Sequence, residues 1–566
     1  MKAEYKIFAM AMLLATFTAC REHVPTVEEL PQEAAQFTYV INGDYALDYY
    51  VDSEIEFTNN SPTKGSAVWD FGDGSATATG DVVTHAYDRA GTYFVVLTVE
   101  LPGGDKVTKK QPLMISDIKP LMGINPFEGV CEVLTTKVSF NMELPNPKNR
   151  TATYKWIFPE GTTDAEGNIM ETSTERLPGE VIFANVGSQT VRLQVALDGR
   201  LLEEANINVQ VGYNKEVPTL YYAVKEGHIM ALKLAADAPE GMKIMPFDLG
   251  LSSGTHPFNI LFADSLLYVL DCGRQFYFID DSEGVLGDGK ISVIAKDGSK
   301  LETMISNVGQ AAFDDPFYGY IEDRTLYYAN RNTGIIPVPL SDRNKMYSSK
   351  EYPYYVQHQT LNYYGNGWAW GCIGGCFGKV NGTWYWCKYY NGNGIFRFTD
   401  ADILPSIVAQ GDPDNVPAAG IALNSMRPKS FAYNQKTGDF FFTLWDEGAN
   451  GFYKCTLAQL DEIGSKKANL PPYKKLHESG LGLECITSGS PALYEGTQSE
   501  PVGICQLALD ENTGCVYFGY RSSPNDVTNA KSGLMRYNPA TDKVETVVDN
   551  VEIYGVAINP NPSKLF

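Results

Sequence analysis

Positive charge is scarce in this chain. Lysine and arginine number 45 against 68 aspartates and glutamates, a formal net charge of −23 over 566 residues. A surface of that sign argues against nucleic acid and anionic membrane surfaces as partners. Long apolar runs are missing after residue 20, so the body of the chain offers no transmembrane helix candidate. No disulfide framework is legible either. The ten cysteines are scattered rather than spaced as in a small secreted scaffold, so most read as buried apolar side chains. Enzyme signatures are lacking too: there is no HExxH, GxSxG, phosphate-binding loop or EF-hand pattern. Only the tail of a sialidase-type Asp-box appears, at Asn381-Gly382-Thr383-Trp384.

What is present points to β structure. Aromatics make up 12%, with 34 tyrosines, beside 52 glycines and only 20% charged residues. That composition fits an all-β extracellular protein. The N-terminus, MKAEYKIFAMAMLLATFTAC, has Lys2 and Lys6 ahead of an apolar run from Ile7 to Phe17, as in a signal peptide over 1–19. It closes on Phe17-Thr18-Ala19-Cys20, which resembles the lipobox of bacterial lipoproteins, with Phe in place of the usual Leu. The resemblance implies lipidation at Cys20, with membrane attachment through that anchor only. Residues 20–36 then read as a polar, acidic tether. With Cys20 spent on lipid, nine cysteines remain, so at least one is unpaired within the chain.

Residues 54–99 alternate apolar and polar positions with Gly and Asn clusters between the runs, the pattern of a small sandwich. Trp69-Asp70-Phe71-Gly72-Asp73-Gly74, then His85-Ala86-Tyr87 and Gly91-Thr92-Tyr93, resemble a PKD domain, an immunoglobulin-like fold, over 37–117. In that family the motif residues are structural, so His85 reads as a packed turn residue. Residues 118–212 look like a degenerate second copy: Tyr154-Lys155-Trp156-Ile157-Phe158 stands where WDFGDG would, and Val191, Leu193, Val195 and Leu197 share a face.

From 213 onward the chain repeats. Five segments share an apolar strand, a tight polar turn, an aromatic strand, a loop and a further strand, with equivalent aromatics at Tyr268, Tyr327, Tyr385, Phe441 and Tyr517. Units of this size with four short strands are propeller blades. Tyr554 to Pro560 reads as a first strand with nothing after it, and Leu220 to Val224 as a later strand with nothing before it. Joined, they complete one blade and close the ring. The expected fold class is all-β: two immunoglobulin-like (PKD) sandwiches, then a six-bladed β-propeller over 213–566, seven-bladed if the long gap before Tyr517 holds another blade.

Ligands of propellers sit at one end of the channel, on blade-joining loops and on loops after second strands. Candidates after second strands are Arg274, Arg331, Tyr389, Tyr390, Trp445, Asp446 and Arg521; those in blade-joining loops are His256, Asp315, Trp368, Trp370, Arg427 and Tyr554. Arginine suits bidentate carboxylate recognition and aromatics offer stacking area for sugar or peptide faces. A structural alternative is that the arginines cap loop carbonyls. Channel-facing carboxylates and amides of the calcium-lactonase type are few: Asn259, Asp264, Glu322 and Asn434. Asp280-Asp281-Ser282-Glu283 to Asp288 reads as an acidic surface turn rather than a calcium loop. Cys372, Cys376 and Cys387 lack a zinc spacing. An exported context favours a disulfide instead, although residues four apart on one strand face lie about 13 Å apart unless Gly374 and Gly375 bulge it. Trp384 and Trp386 share a strand face and read as blade core, whereas Trp368, Trp370, Tyr389 and Tyr390 form the best aromatic platform.

As a whole the chain resembles PKD-like surface lipoproteins of Bacteroidota, which accompany Sus-type uptake systems. That resemblance implies a non-enzymatic, cell-surface protein of the outer membrane that captures a glycan or peptide, without catalytic residues, metal or cofactor. Its implied partners are a TonB-dependent transporter and its lipoprotein lid. Two alternatives remain: a propeller enzyme (polysaccharide lyase or glycoside hydrolase), or a scaffold touching only other outer-membrane proteins.

Overall fold

The computed structural model describes residues 35–565 except 44, 45, 47, 63, 237, 253, 275–287, 307–314, 331–333, 349, 354, 358–373, 389–393, 401–420, 424–427, 445–450, 464–483, 486–502 and 522–531. The chain divides into two compact units. One takes residues up to 126 with 137–181 and 190–208; the other takes 127–136, 182–189 and 209–566. The stretch 118–212, expected as one sandwich, is therefore shared between them. Hydrogen bonds show why. Val133 N–H bonds to the Gly212 carbonyl at 3.0 Å, Val186 N–H to that of Lys243 at 3.1 Å, and Lys564 Nζ reaches Glu132 at 2.5 Å.

The first unit contains two facing sheets. One has the order β1 (Phe37–Val40), β3 (Ile55–Asn59), β6 (Val82–His85). The other has the order β2 (Tyr49–Tyr50), β8 (Lys106–Ser116), β7 (Gly91–Glu100), β4 (Ser66–Asp70), β5 (Ala78–Thr79). Period-two alternation in β4 and β7 buries Trp69, Val95, Leu97 and Val99 between the sheets. Asp70 points outward and caps Gly72 N–H at 2.9 Å; Asp73 caps Ser75 N–H at 2.9 Å. Gly72 and Gly74 hold φ of 74° and 80°, the left-handed region that favours glycine. His85 lies flat on Phe71, with centroids 4.0 Å apart, and its Nε2 meets Asp73 at 2.7 Å. It is packed as expected, but at the end of β6, paired with Ile55, rather than in a turn. Farther along the same unit, Trp156 in Ala152–Ile157 faces Leu193 of Gly187–Leu197, both fully buried.

The second unit holds six sheets among the described residues, antiparallel except where Lys345–Met346 pairs in parallel with Leu301–Ser306. The first sheet has the order Phe247–Ser252, His228–Lys233, Val217–Val224, Ile553–Ser563, so its innermost strand is the last of the chain. The other five begin with the inner strands Pro257–Ala263, Pro316–Glu322, Gly374–Val380, Pro428–Tyr433 and Gly503–Leu509. Each inner strand packs on the next, and Gly503–Leu509 packs on Ile553–Ser563, which packs on Pro257–Ala263. The series closes on itself. Pro428–Tyr433 packs directly on Gly503–Leu509, the two inner strands flanking the long gap before Tyr517. Tyr268, Tyr327, Tyr385, Phe441 and Tyr517 all stand on second strands.

Candidate functional site

Inner strands start, and second strands end, at the same end of the ring. Every sheet carries a one-residue slip there. The register shifts between Pro257 and Asn259, Pro316 and Tyr318, Gly374 and Phe377, Pro428 and Phe431, Ile504 and Leu507, and, in the first sheet, Ile553 and Val556. A bulge inserts one residue and re-aims the side chains around it. Phe258 and Phe317 are the inserted residues of the second and third sheets, and Tyr554 lies in the slip of the first. Their rings form an arc: Phe258 is 5.0 Å from Phe317 and 6.2 Å from Tyr554. At the equivalent slips of the fifth and sixth sheets stand Lys429 and Gln506, both buried.

Arg521 Cζ sits 4.1 Å above the Tyr554 ring, and the His256 ring meets Tyr554 edge-on at 5.7 Å. His256 Nδ1 lies 2.6 Å from the Gly273 carbonyl. A carbonyl only accepts, so Nδ1 carries the proton. Burial lowers the His256 pKa from its ordinary value, and the Gly273 bond and Asp271 only partly oppose that, so the ring is neutral near pH 7. Asp271 accepts from the backbone N–H groups of Thr255, His256 and Gly273 at 2.9–3.1 Å. Buried Asp315 accepts from Gly289 N–H at 2.9 Å, and Asp288 holds Arg274 Nε at 3.0 Å. These carboxylates fasten loops to strand ends.

Below the bulges the ring is pinned by one amide. Gln506 Oε1 accepts from Ile260 N–H and Val556 N–H at 2.9 Å each, and Nε2 donates to the Ile260 carbonyl at 2.7 Å. The sixth sheet is thereby tied to the second and the first. Gly555 and Gly375 let backbones approach: a Cβ on Gly375 would lie 2.2 Å from the Lys429 carbonyl oxygen.

The expected residues now separate. Arg521 is the last residue of Val516–Arg521 rather than a loop residue, and Tyr554 belongs to Ile553–Ser563 rather than a blade-joining loop; each is 1% exposed. The bulge and the chain-closing strand draw both into the wall. Arg274 stays half exposed. Arg331, Trp368, Trp370, Tyr389, Tyr390, Arg427, Trp445, Asp446, Cys20, Cys372 and Asp280 to Glu283 lie outside the described residues. Asn259 accepts from Gly319 N–H, Asn434 from Lys436 N–H, while Asp264 pairs with Arg324 and Glu322 with Lys379. All four have structural partners. Cys376 and Cys387 are free thiols, against the expected disulfide, and the glycine pair Gly374-Gly375 does sit at a bulge. Trp384 and Trp386 are core, and Trp384 Nε1 donates to Asp400 at 2.7 Å. Sequence reasoning raised a bulge only at Gly374-Gly375 and missed the other five, although His256-Pro257, Asp315-Pro316 and Arg427-Pro428 mark three of them, since proline at a strand start or bulge leaves no ladder donor to lose. Gln506 left no such signal.

The two facing sheets and the WDFGDG turn agree with one comparison. Residues 35–115 match the PKD domain family. The chain's likenesses to solved structures are remote. One is the periplasmic gluconolactonase PpgL of Pseudomonas aeruginosa, at 11% identity over 59% of this chain and 82% of that one, with a TM-score of 0.33. Another is the GH74 enzyme of Niastella koreensis, at 12% identity over 59% of this chain and 43% of that one, with a TM-score of 0.29. A DUF4784 family protein of Bacteroides caccae has 8% identity over 77% of this chain and 98% of that one, with a TM-score of 0.25. No curated protein matches the chain.

Proposed function

We propose that the second unit is a six-bladed β-propeller whose bulged end receives a glycan or peptide, and that the chain is a non-catalytic, lipid-anchored protein of the outer-membrane surface serving nutrient uptake beside a TonB-dependent channel. The observation that carries the ligand site is the Arg521–Tyr554–His256 stack: a buried cation and two rings gathered at the bulged strand ends, of which the His256 ring is the part not fully buried. A cation laid on an aromatic face beside a histidine is a grouping suited to ligand recognition. The cyclic packing of inner strands, with the fifth directly on the sixth, supports six blades rather than seven. Cys20 supplies the anchor.

Glycan and peptide arrays on the full chain, followed by calorimetric titration, test the ligand reading. Binding should fall at least tenfold in His256→Ala and in Arg274→Ala, each checked for folding. Unchanged binding in both variants sinks the mouth as the site. Radiolabelled palmitate incorporation that survives Cys20→Ala would remove the anchor.

One observation favours a second reading, a propeller lyase: a neutral histidine beside a tyrosine in the same mouth. Polysaccharide cleavage lost in both His256→Ala and Tyr554→Phe decides for that reading. The burial of Tyr554 under Arg521 and the commitment of Asp271 and Asp315 to loop amides weigh for a binding wall.

A further inference from the structure

The PKD domain carries a groove that the function above does not use. It opens between β1 and the edge of β8, with a volume of about 460 Å³. Phe37, Tyr39 and Leu113 give it an apolar wall, Gln111 and Asp48 polar ends. β8 pairs with β7 from Lys106 to Ile115. On its other side, among the described residues, only Ile115 and Ser116 are paired, in parallel with the two-residue β2. Among the described residues, Lys106 to Met114 therefore forms an open strand edge beside the groove, with one donor missing at Pro112. Such an edge is a template for an added strand.

Charge decides which strand. Lys106, Lys109 and Lys110 fall within five residues of an otherwise acidic chain. Lys110 Nζ stands 4.5 Å above the exposed Phe94 ring, and Lys106 reaches Glu100 only at 3.4 Å with both side chains mostly in solvent. Two copies docking antiparallel along the whole of this edge would set Lys110 against Lys110 and gather the lysines of both copies along one seam, which is repulsive. An acidic strand meets opposite charge. Lys109 shares the parity of Gln111 and Leu113, so it marks the end of the groove away from Asp48. Lys109 and Leu113 lie roughly 13 Å apart along the strand.

We propose that β8 and its groove bind an extended acidic segment of a partner protein by strand addition. An acidic side chain meets Lys109 on the groove face, acidic side chains of the opposite face meet Lys106 and Lys110, and an apolar side chain four residues from the first enters the groove beside Tyr39 and Leu113. The lysines thus exclude self-pairing and select the partner.

The test uses the full chain and a fluorescein-labelled peptide, Glu-Glu-Glu-Glu-Ile-Thr-Ile-Thr, with acidic side chains on both faces, read by anisotropy; a twin carries Lys for Glu. The acidic peptide should bind saturably at low salt, about tenfold tighter than the twin, and weaken as salt rises. Lys106→Glu/Lys109→Glu/Lys110→Glu should reverse the preference. Tyr39→Ala should weaken binding without altering that preference. Equal binding of the twins, or an unreversed preference, overturns the proposal. So does binding that appears only when residues 21–34 are deleted, which would make the chain's own tether the occupant, or a dimer in sedimentation that the acidic peptide does not dissolve.

Discussion

Gln506→Leu removes one amide and leaves a side chain of similar bulk. In the native ring that amide accepts from two backbone N–H groups and donates to one backbone carbonyl. Ile260 and Val556 are fully buried, so water has no access to the groups left behind. Each unsatisfied buried group costs about 1–3 kcal/mol. Three such groups, two of them on the same residue and able to relax together, put the loss at roughly 3–6 kcal/mol. That is a large part of a domain's total stability. Because the chain has two units, whole-chain denaturation is not a two-state measure. Native-state hydrogen exchange at the Ile260 and Val556 amides reads the event directly. Both should exchange far faster in the variant, and the last strand should become a site of proteolysis. A cost below about 1 kcal/mol, with both amides still protected, would refute the reasoning that one side chain locks the sixth sheet to the first and second.

Three further outcomes follow from the same structure. Lys233 is 1% exposed, and burial, with Lys296 adding to it, pulls its ammonium down to about 7 from 10.5. The unfolded chain then binds more protons than the native one between those values, so stability should rise with pH from about 7 to 10.5; the rise should vanish in Lys233→Met, as pH-dependent urea titration can check. The oxygens of Val217, Thr219, Ser563 and Leu565 around Nζ, at 2.8–3.1 Å, will shrink that slope by holding the charge. Burial opposes ionisation of Asp73, but Ser75 and His85 outweigh it and hold its carboxyl below 3.8. Asp73→Ala should cost the PKD domain about 1–2 kcal/mol near neutral pH, a difference that closes as pH falls through that lowered value, measured by thermal melts. Gly375→Ala should lose about 2 kcal/mol or more in thermal shift, since its Cβ meets backbone at 2.2 Å; an unchanged melt would mean the fourth and fifth inner strands are not so close.

The elements were legible where period and turn chemistry act locally. Trp69, Phe71 and the glycines of WDFGDG announced a sandwich turn, and the aromatic positions from Tyr268 to Tyr517 marked second strands because the same four-strand unit recurs. Even the joining of chain ends could be read, from a first strand left over at Tyr554. The wall of the candidate site could not. Arg521 looked like a loop residue, and Tyr554 was read both as a strand start and as a blade-joining residue, because a bulge has no period of its own and shifts a strand boundary by one or two positions.

By itself, then, the sequence determined an all-β chain, a PKD motif, and a closed repeat that needs its last strand to finish its first sheet. Those properties rest on side-chain alternation and on φ preferences, which neighbours in the chain set. Only the tertiary structure decided that Arg521 lies on Tyr554, that Gln506 ties strands 50 and 246 residues away, and that residues 118–212 are shared between two units. Those depend on which sheets close against each other, and that is fixed by packing across the ring.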